Sequence, residues 1–125
     1  MPPLKPATPT VQLFGYEDSR PTRAAMRFFK ERRVEVHFVN LRQRPIAPGE
    51  LRRFIDRLGA TSLLDPASKP YRDQGLQYLS LDAAGVTDRL LANPRLLRLP
   101  LVRHGNDVTA GPAEATWRTW LTPGS

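Results

Sequence analysis

The sequence predicts an α/β domain, a four-stranded mixed sheet flanked by helices, and three observations carry that reading. A strand-like run, a helix-like run and a second strand-like run follow one another from Thr10 to Val39, the order of a βαβ unit. Leu101 to Ala110 reads as a hairpin folded at Gly105-Asn106. The segment between these two units has helical spacing broken by proline and glycine, which predicts a helical insertion between the second and third strands.

The first strand is Thr10-Val11-Gln12-Leu13-Phe14, closed by Gly15. Asp18 and Ser19 are both N-cap types, and Pro21 suits a first helical turn because its missing N–H would have no helical partner. The helix that follows should run to about Arg32, with Ala25, Met26, Phe28 and Phe29 facing inward and arginines outward. In Val34 to Val39, Val34, Val36 and Phe38 share one face, and His37 and Val39 share the other. His37 is therefore read as an ordinary strand residue. A right-handed crossover makes these two strands parallel.

Arg42 to Ala47 is a polar loop, after which Pro48 opens a helix with Leu51, Phe54, Ile55 and Leu58 on one side and Gly59 as a left-handed cap. Ser62 to Leu76 should form short helical turns interrupted by Pro66, Pro70 and Gly75. Asp82 can cap a further helix anchored by Leu90 and Leu91, which Asn93-Pro94 ends because the residue before proline avoids helical geometry. Strands at Leu101–Arg103 and Val108–Ala110 should be antiparallel, since Gly105 and Asn106 tolerate the positive φ of a tight turn. Gly111-Pro112 should open the last helix, with Trp117, Trp120 and Leu121 read as core or docking residues. Residues 1–9, with Pro2, Pro3, Pro6 and Pro9, read as a flexible tail, and residues 10–122 as one domain.

Composition narrows the function. The 125 residues fit a single domain, and 40% hydrophobic with 25% charged residues fits neither a disordered chain nor a membrane protein. No apolar run approaches the ~20 residues of a bilayer span, and no signal segment opens the chain, so a cytoplasmic location without membrane association is expected. There is no cysteine, which removes disulfides, thiolate nucleophiles and Cys-zinc sites together. His37 and His104 lie in no metal-binding pattern, so neither a metal nor a cofactor is expected. The net charge of +7 invites nucleic acid, but 16 of the 19 basic residues are arginines. They recur at helical spacing, as in Arg20, Arg23 and Arg27 or Arg53 and Arg57, and read better as solvated helix faces.

Short motifs occur in a fixed order along the chain. They are Phe14-Gly15-Tyr16-Glu17-Asp18-Ser19-Arg20 at the first strand-to-helix junction, Glu50-Leu51 with Leu58-Gly59, Leu63-Leu64 before Lys69-Pro70-Tyr71, and Asn93-Pro94 leading to Leu99-Pro100-Leu101-Val102. On these residues, from Val11 to Leu121, the chain resembles the arsenate reductase (ArsC)/Spx family, which includes the Spx-type transcription regulators. The element order is likewise that of a thioredoxin-like fold.

The resemblance implies a nucleophilic cysteine at the start of the first helix, followed by Gly-Thr-Ser-Arg. Here that stretch reads Tyr16-Glu17-Asp18-Ser19-Arg20, so Ser19 and Arg20 match and Tyr16 takes the cysteine position. The Spx-type C-x-x-C would fall on Tyr16 and Ser19, and further oxyanion-binding arginines of the reductases would fall near Asp65, Leu99 and Val108. Pro100 matches the proline that is cis in thioredoxin folds. Tyr16, Ser19, Arg20 and Pro100 are thus read as vestigial site positions with no catalytic residue among them. Tyr16 either plugs the old site or presents a docking surface. Ser19 and Arg20 either grip an anion at the helix N-terminus or serve as an ordinary cap and a solvated side chain.

Three functions follow as expectations. The first is a non-catalytic family member that binds a protein partner, specifically the C-terminal domain of the RNA polymerase α subunit that Spx-type members engage. The alternative is a small-anion or glutathione-binding protein, or an oxidoreductase-family enzyme with a non-thiol site, at Ser19 and Arg20. Nucleic-acid binding by the arginine faces is the third and least favoured.

Overall fold

In a computed structural model, described over residues 10–121, strand β1 (Thr10–Gly15) occupies the middle of the sheet. β1 sends Val11 and Leu13 to one face and Phe14 to the other, as the two-residue period of a strand requires. Strand β2 (Glu35–Asn40) pairs with it in parallel from Thr10↔Glu35 to Gly15↔Asn40. Strand β3 (Leu101–His104) pairs antiparallel on the other side, and β4 (Asp107–Ala110) pairs antiparallel with β3, giving the order β2-β1-β3-β4. The Gly105 φ of +62° with Asn106 outside positive φ is the arrangement of a two-residue hairpin turn with glycine first. The proline-rich tail at residues 1–9 lies outside the described residues, as does residue 122.

Each face of the sheet carries its own core. Helix α1 (Arg20–Glu31) buries Thr22, Ala25, Phe28 and Phe29 against Val11, Leu13, Val34 and Val102. Trp117, on helix α5 (Glu114–Leu121), completes this layer, its ring tilted against Phe28 and Phe29. Its Nε1 donates to Thr109 Oγ1 at 2.8 Å, so its one polar group is satisfied where it is buried. On the opposite face, Phe14, Val39 and Leu101 pack under helix α2 (Pro48–Leu58), helix α3 (Lys69–Asp73) with its flanking turns, and helix α4 (Ala83–Ala92). Leu51, Phe54, Leu63, Leu90 and Leu96 supply that layer. The helical insertion between β2 and β3 thus covers one whole side of the sheet.

Several local expectations are corrected by tertiary geometry. Asp18 is not the cap of α1: Ser19 is, its Oγ accepting from Thr22 N at 3.3 Å, and Asp18 turns outward to two arginines. Met26 is only half-buried, and Thr22 takes its expected place in the core. Gly59 has φ +83° but ψ 146°, so it leaves α2 in an extended turn rather than as a left-handed cap. The last helix begins at Glu114, not at Gly111-Pro112, because Gly111 has φ +78°, outside helical geometry. Its N–H donates to the carbonyls of Arg98 and Pro100, both at 3.0 Å, which fasten it beside the start of β3.

Candidate functional site

The site builds up where β1 hands over to α1. Gly15 ends the strand in close contact with Thr22 of the first helical turn: a Cβ at Gly15 would stand 2.5 Å from Thr22 Oγ1 and 2.7 Å from its Cγ2. Only glycine lets the helix approach the strand this closely. The chain then turns through Tyr16 to Ser19, with Ser19 N donating to Tyr16 O at 3.0 Å, and Ser19 O receives Arg23 N as the helix begins. Leu41 N donates to Gly15 O at 2.9 Å, which ties the end of β2 to the same corner.

Tyr16 is 6% exposed and packs in the core with Phe14, Val39 and the helical insertion. The Arg95 guanidinium lies over its ring, 3.7 Å from the centroid. Burial pushes the phenol pKa above its ordinary value, while the charges of Arg95 and Arg42 pull it partly back. The phenol is therefore neutral at physiological pH.

Arg95 also donates from both terminal nitrogens to the Asp18 carboxylate at 3.3 Å, and Arg42 donates to Asp18 Oδ2 at 2.8 Å. The hydrogen bond and charge of Arg95, joined by the charge of Arg42, hold the Asp18 carboxyl below the usual carboxylate range. A second bridge runs beneath: Asn40 Nδ2 donates to Glu17 Oε1 at 2.7 Å, while Asn40 Oδ1 accepts from Arg42 N at 3.0 Å. Arg95 and Arg42 are thus paired with the protein's own carboxylate, an aromatic ring fills the space beneath Arg95, and Arg23 Nη1 donates to Glu17 O at 3.1 Å.

The structure brings three of the sequence-predicted positions together and places the fourth at the adjoining strand. Ser19 caps α1, and Arg20 is exposed at its first residue. Pro100 is buried, its bond with Leu99 is cis, and it directly precedes Leu101, the partner of Phe14. It therefore borders the end of β1 where Tyr16 departs. Asp65, Leu99 and Val108 bring no cation to the corner. Val108 instead lines a groove beside the hairpin turn.

Arg95, Arg42, Asp18 and Asn40 were missed by sequence reasoning. Asn93-Pro94 reads as a helix stop and as one of the family's short motifs, with no sign of a contact to Tyr16. Yet the Asn93 side chain accepts from Arg95 N at 3.0 Å and starts a single 3₁₀ turn, Pro94–Leu96, and that turn carries Arg95 to Tyr16. No group of residues suited to a metal ion occurs among the described residues, and none of their helices is long and apolar enough to cross a membrane.

Comparison with known proteins agrees with this fold. The model of the ArsC family matches residues 14–120. Among solved structures, the YffB protein superposes with a TM-score of 0.83 at 22% identity, covering 90% of this chain and 99% of its own. An ArsC family related protein from Bacteroides fragilis gives 0.78 at 17% identity, with 88% and 97% covered. An arsenate reductase from Vibrio cholerae gives 0.73 at 14% identity, with 83% and 91% covered. These likenesses establish the thioredoxin-like fold. Comparison with the curated proteins gives no match.

Proposed function

The chain belongs to the ArsC family, and from that premise we propose that it is a non-catalytic member which works in the cytoplasm by holding a protein partner. The supporting observation is the filled site. The residue at the family's thiol position is Tyr16, buried and covered by Arg95. Arsenate reduction by this family's route needs a thiolate to bond arsenic, and the 125 residues contain no sulfhydryl. A phenol raised above its ordinary pKa cannot take that role. What the fold retains is a rigid scaffold with exposed helices. The C-terminal domain of the RNA polymerase α subunit is the specific partner proposed, because Spx-type members engage it.

Two measurements test this reading. In an assay coupled to glutathione and glutaredoxin, the purified protein is expected to give no arsenate turnover above the buffer control. In isothermal titration with the purified α-subunit domain, it is expected to bind saturably. Measurable turnover overturns the non-catalytic reading, and absence of binding overturns the polymerase assignment.

A further inference from the structure

A groove runs between α2 and the β3–β4 hairpin, at the far end of the sheet from Tyr16. Arg103 pairs with Gln12 toward the start of β1, whereas Tyr16 follows the end of that strand. The cavity, about 340 Å³, is walled by Arg53, Asp56 and Arg57 of α2 and by Arg103, Gly105 and Val108 of the hairpin. That volume falls within the range of small-molecule sites, roughly 300–1,000 Å³. A smaller recess of about 140 Å³, bordered by Gln12, Phe14, Glu50 and Phe54, adjoins it and shares Arg53 and Arg103.

The charges here are only partly neutralised from within: Asp56 lies in the wall, and Glu50 in the adjoining recess feels the charge of Arg53. Arg53 and Arg57 stand four residues apart on one helix face, a like-charge spacing that works against the helix. Among the described residues neither makes a hydrogen bond or ion pair. Glu50, one turn before Arg53, is already held by both terminal nitrogens of Arg44 at 2.9 Å and accepts from Ala47 N. Arg103 is positioned by two acceptors, Gln12 Oε1 at 3.3 Å and Gly105 O at 2.9 Å, which leaves other N–H donors of its fork free to turn to a ligand.

In the larger cavity three guanidinium groups line the wall with one carboxylate, Asp56, while the recess carboxylate Glu50 is taken up by Arg44, so a dianion would balance the difference. Guanidinium forks match the oxygen geometry of phosphate in particular. We infer that this groove binds a small ligand through a dianionic phosphoryl group, the adjoining recess receiving the remainder of the molecule. The site is separate from the Tyr16 corner, and its failure would leave the proposed function untouched.

The test is a titration of inorganic phosphate, and in a second arm pyrophosphate, into the ¹⁵N-labelled full chain. Saturable shifts of the Arg103, Gly105 and Asn106 amides and of the α2 amides are expected. Arg53→Gln/Arg57→Gln should weaken binding about tenfold or more, and Arg103→Lys, which keeps the charge and loses the fork, should weaken it as well. Arg20→Gln should leave it unchanged. Both α2 arginines are exposed, so the double variant is expected to retain the parent spectrum outside the groove. Shifts centred on Ser19 and Arg20, unchanged affinity in the double variant, or no saturation at millimolar ligand would overturn the inference. Tighter binding of a single-stranded DNA oligomer that displaces pyrophosphate would overturn it in favour of a nucleic-acid surface.

Discussion

The Arg95 guanidinium covers the Tyr16 ring at 3.7 Å from its centroid, and its terminal nitrogens reach the Asp18 carboxylate beside it. One side chain from the insertion thus closes the corner where β1 hands over to α1. A guanidinium over an aromatic face contributes about 0.5–1 kcal/mol at a partly exposed site, and the buried ring beneath contributes more.

Truncating that ring should be costly. Tyr16→Ala is expected to lower unfolding stability by about 3 kcal/mol, in the range of large-to-small core changes, as read by chemical denaturation. Tyr16→Phe should cost less than about 1 kcal/mol, because no protein group hydrogen-bonds the hydroxyl among the described residues. Equal losses in the two variants would mean that the hydroxyl, and not the ring, holds the corner.

The Tyr16 phenol should ionise above the ordinary tyrosine value of about 10, because burial favours its neutral form. The corresponding stability is present below the unfolded-state pKa and is lost as pH rises through the higher folded value. Difference absorbance between the parent and Tyr16→Phe should show this late titration, and Tyr16→Phe should lose less stability in alkali.

In acid the sign reverses. Glu50 is held below the usual carboxylate range first by its hydrogen bond from Arg44 and then by the Ala47 amide, and Asp18 is held low chiefly by Arg95. Their stabilisation is present above about pH 4 and is lost as pH falls through the lowered folded values. Melting temperature should decline over that window, and Glu50→Gln should flatten the decline. The Glu50 share should be less than about 1 kcal/mol, since the pair is partly exposed, and it should shrink in high salt.

The Gly15–Thr22 contact gives a coupled pair. Gly15→Ala would drive a methyl group into Thr22 and should cost about 1–3 kcal/mol, with Thr22→Ala in the same chain recovering part of the loss. Thr22→Val should by itself raise stability by about 1 kcal/mol, because Thr22 Oγ1 is buried without a hydrogen-bond partner among the described residues. Additive losses in the Gly15→Ala/Thr22→Ala chain would show that the two sites do not touch.

Local rules were enough for the elements and their order. Alternation in Val11 to Phe14, the Ser19 and Asp82 caps, and the glycine-first hairpin turn each act within a few residues, so periodicity and capping chemistry reveal them. The absence of any sulfhydryl was equally plain, because residue identity decides what chemistry a position can perform. The partner of that ring was not plain: Arg95 lies 77 positions from Asp18, and no local signal encodes a contact between a 3₁₀ turn and a strand end so distant in sequence. The same holds for the groove. Arg53 and Arg57 read as a solvated helix face until packing sets α2 against the hairpin and brings Arg103 opposite them. The chain's own residues determine which elements form and which side-chain chemistry is present, whereas burial, and the meeting of charges far apart along the chain, exist only once the sheet has gathered its helices.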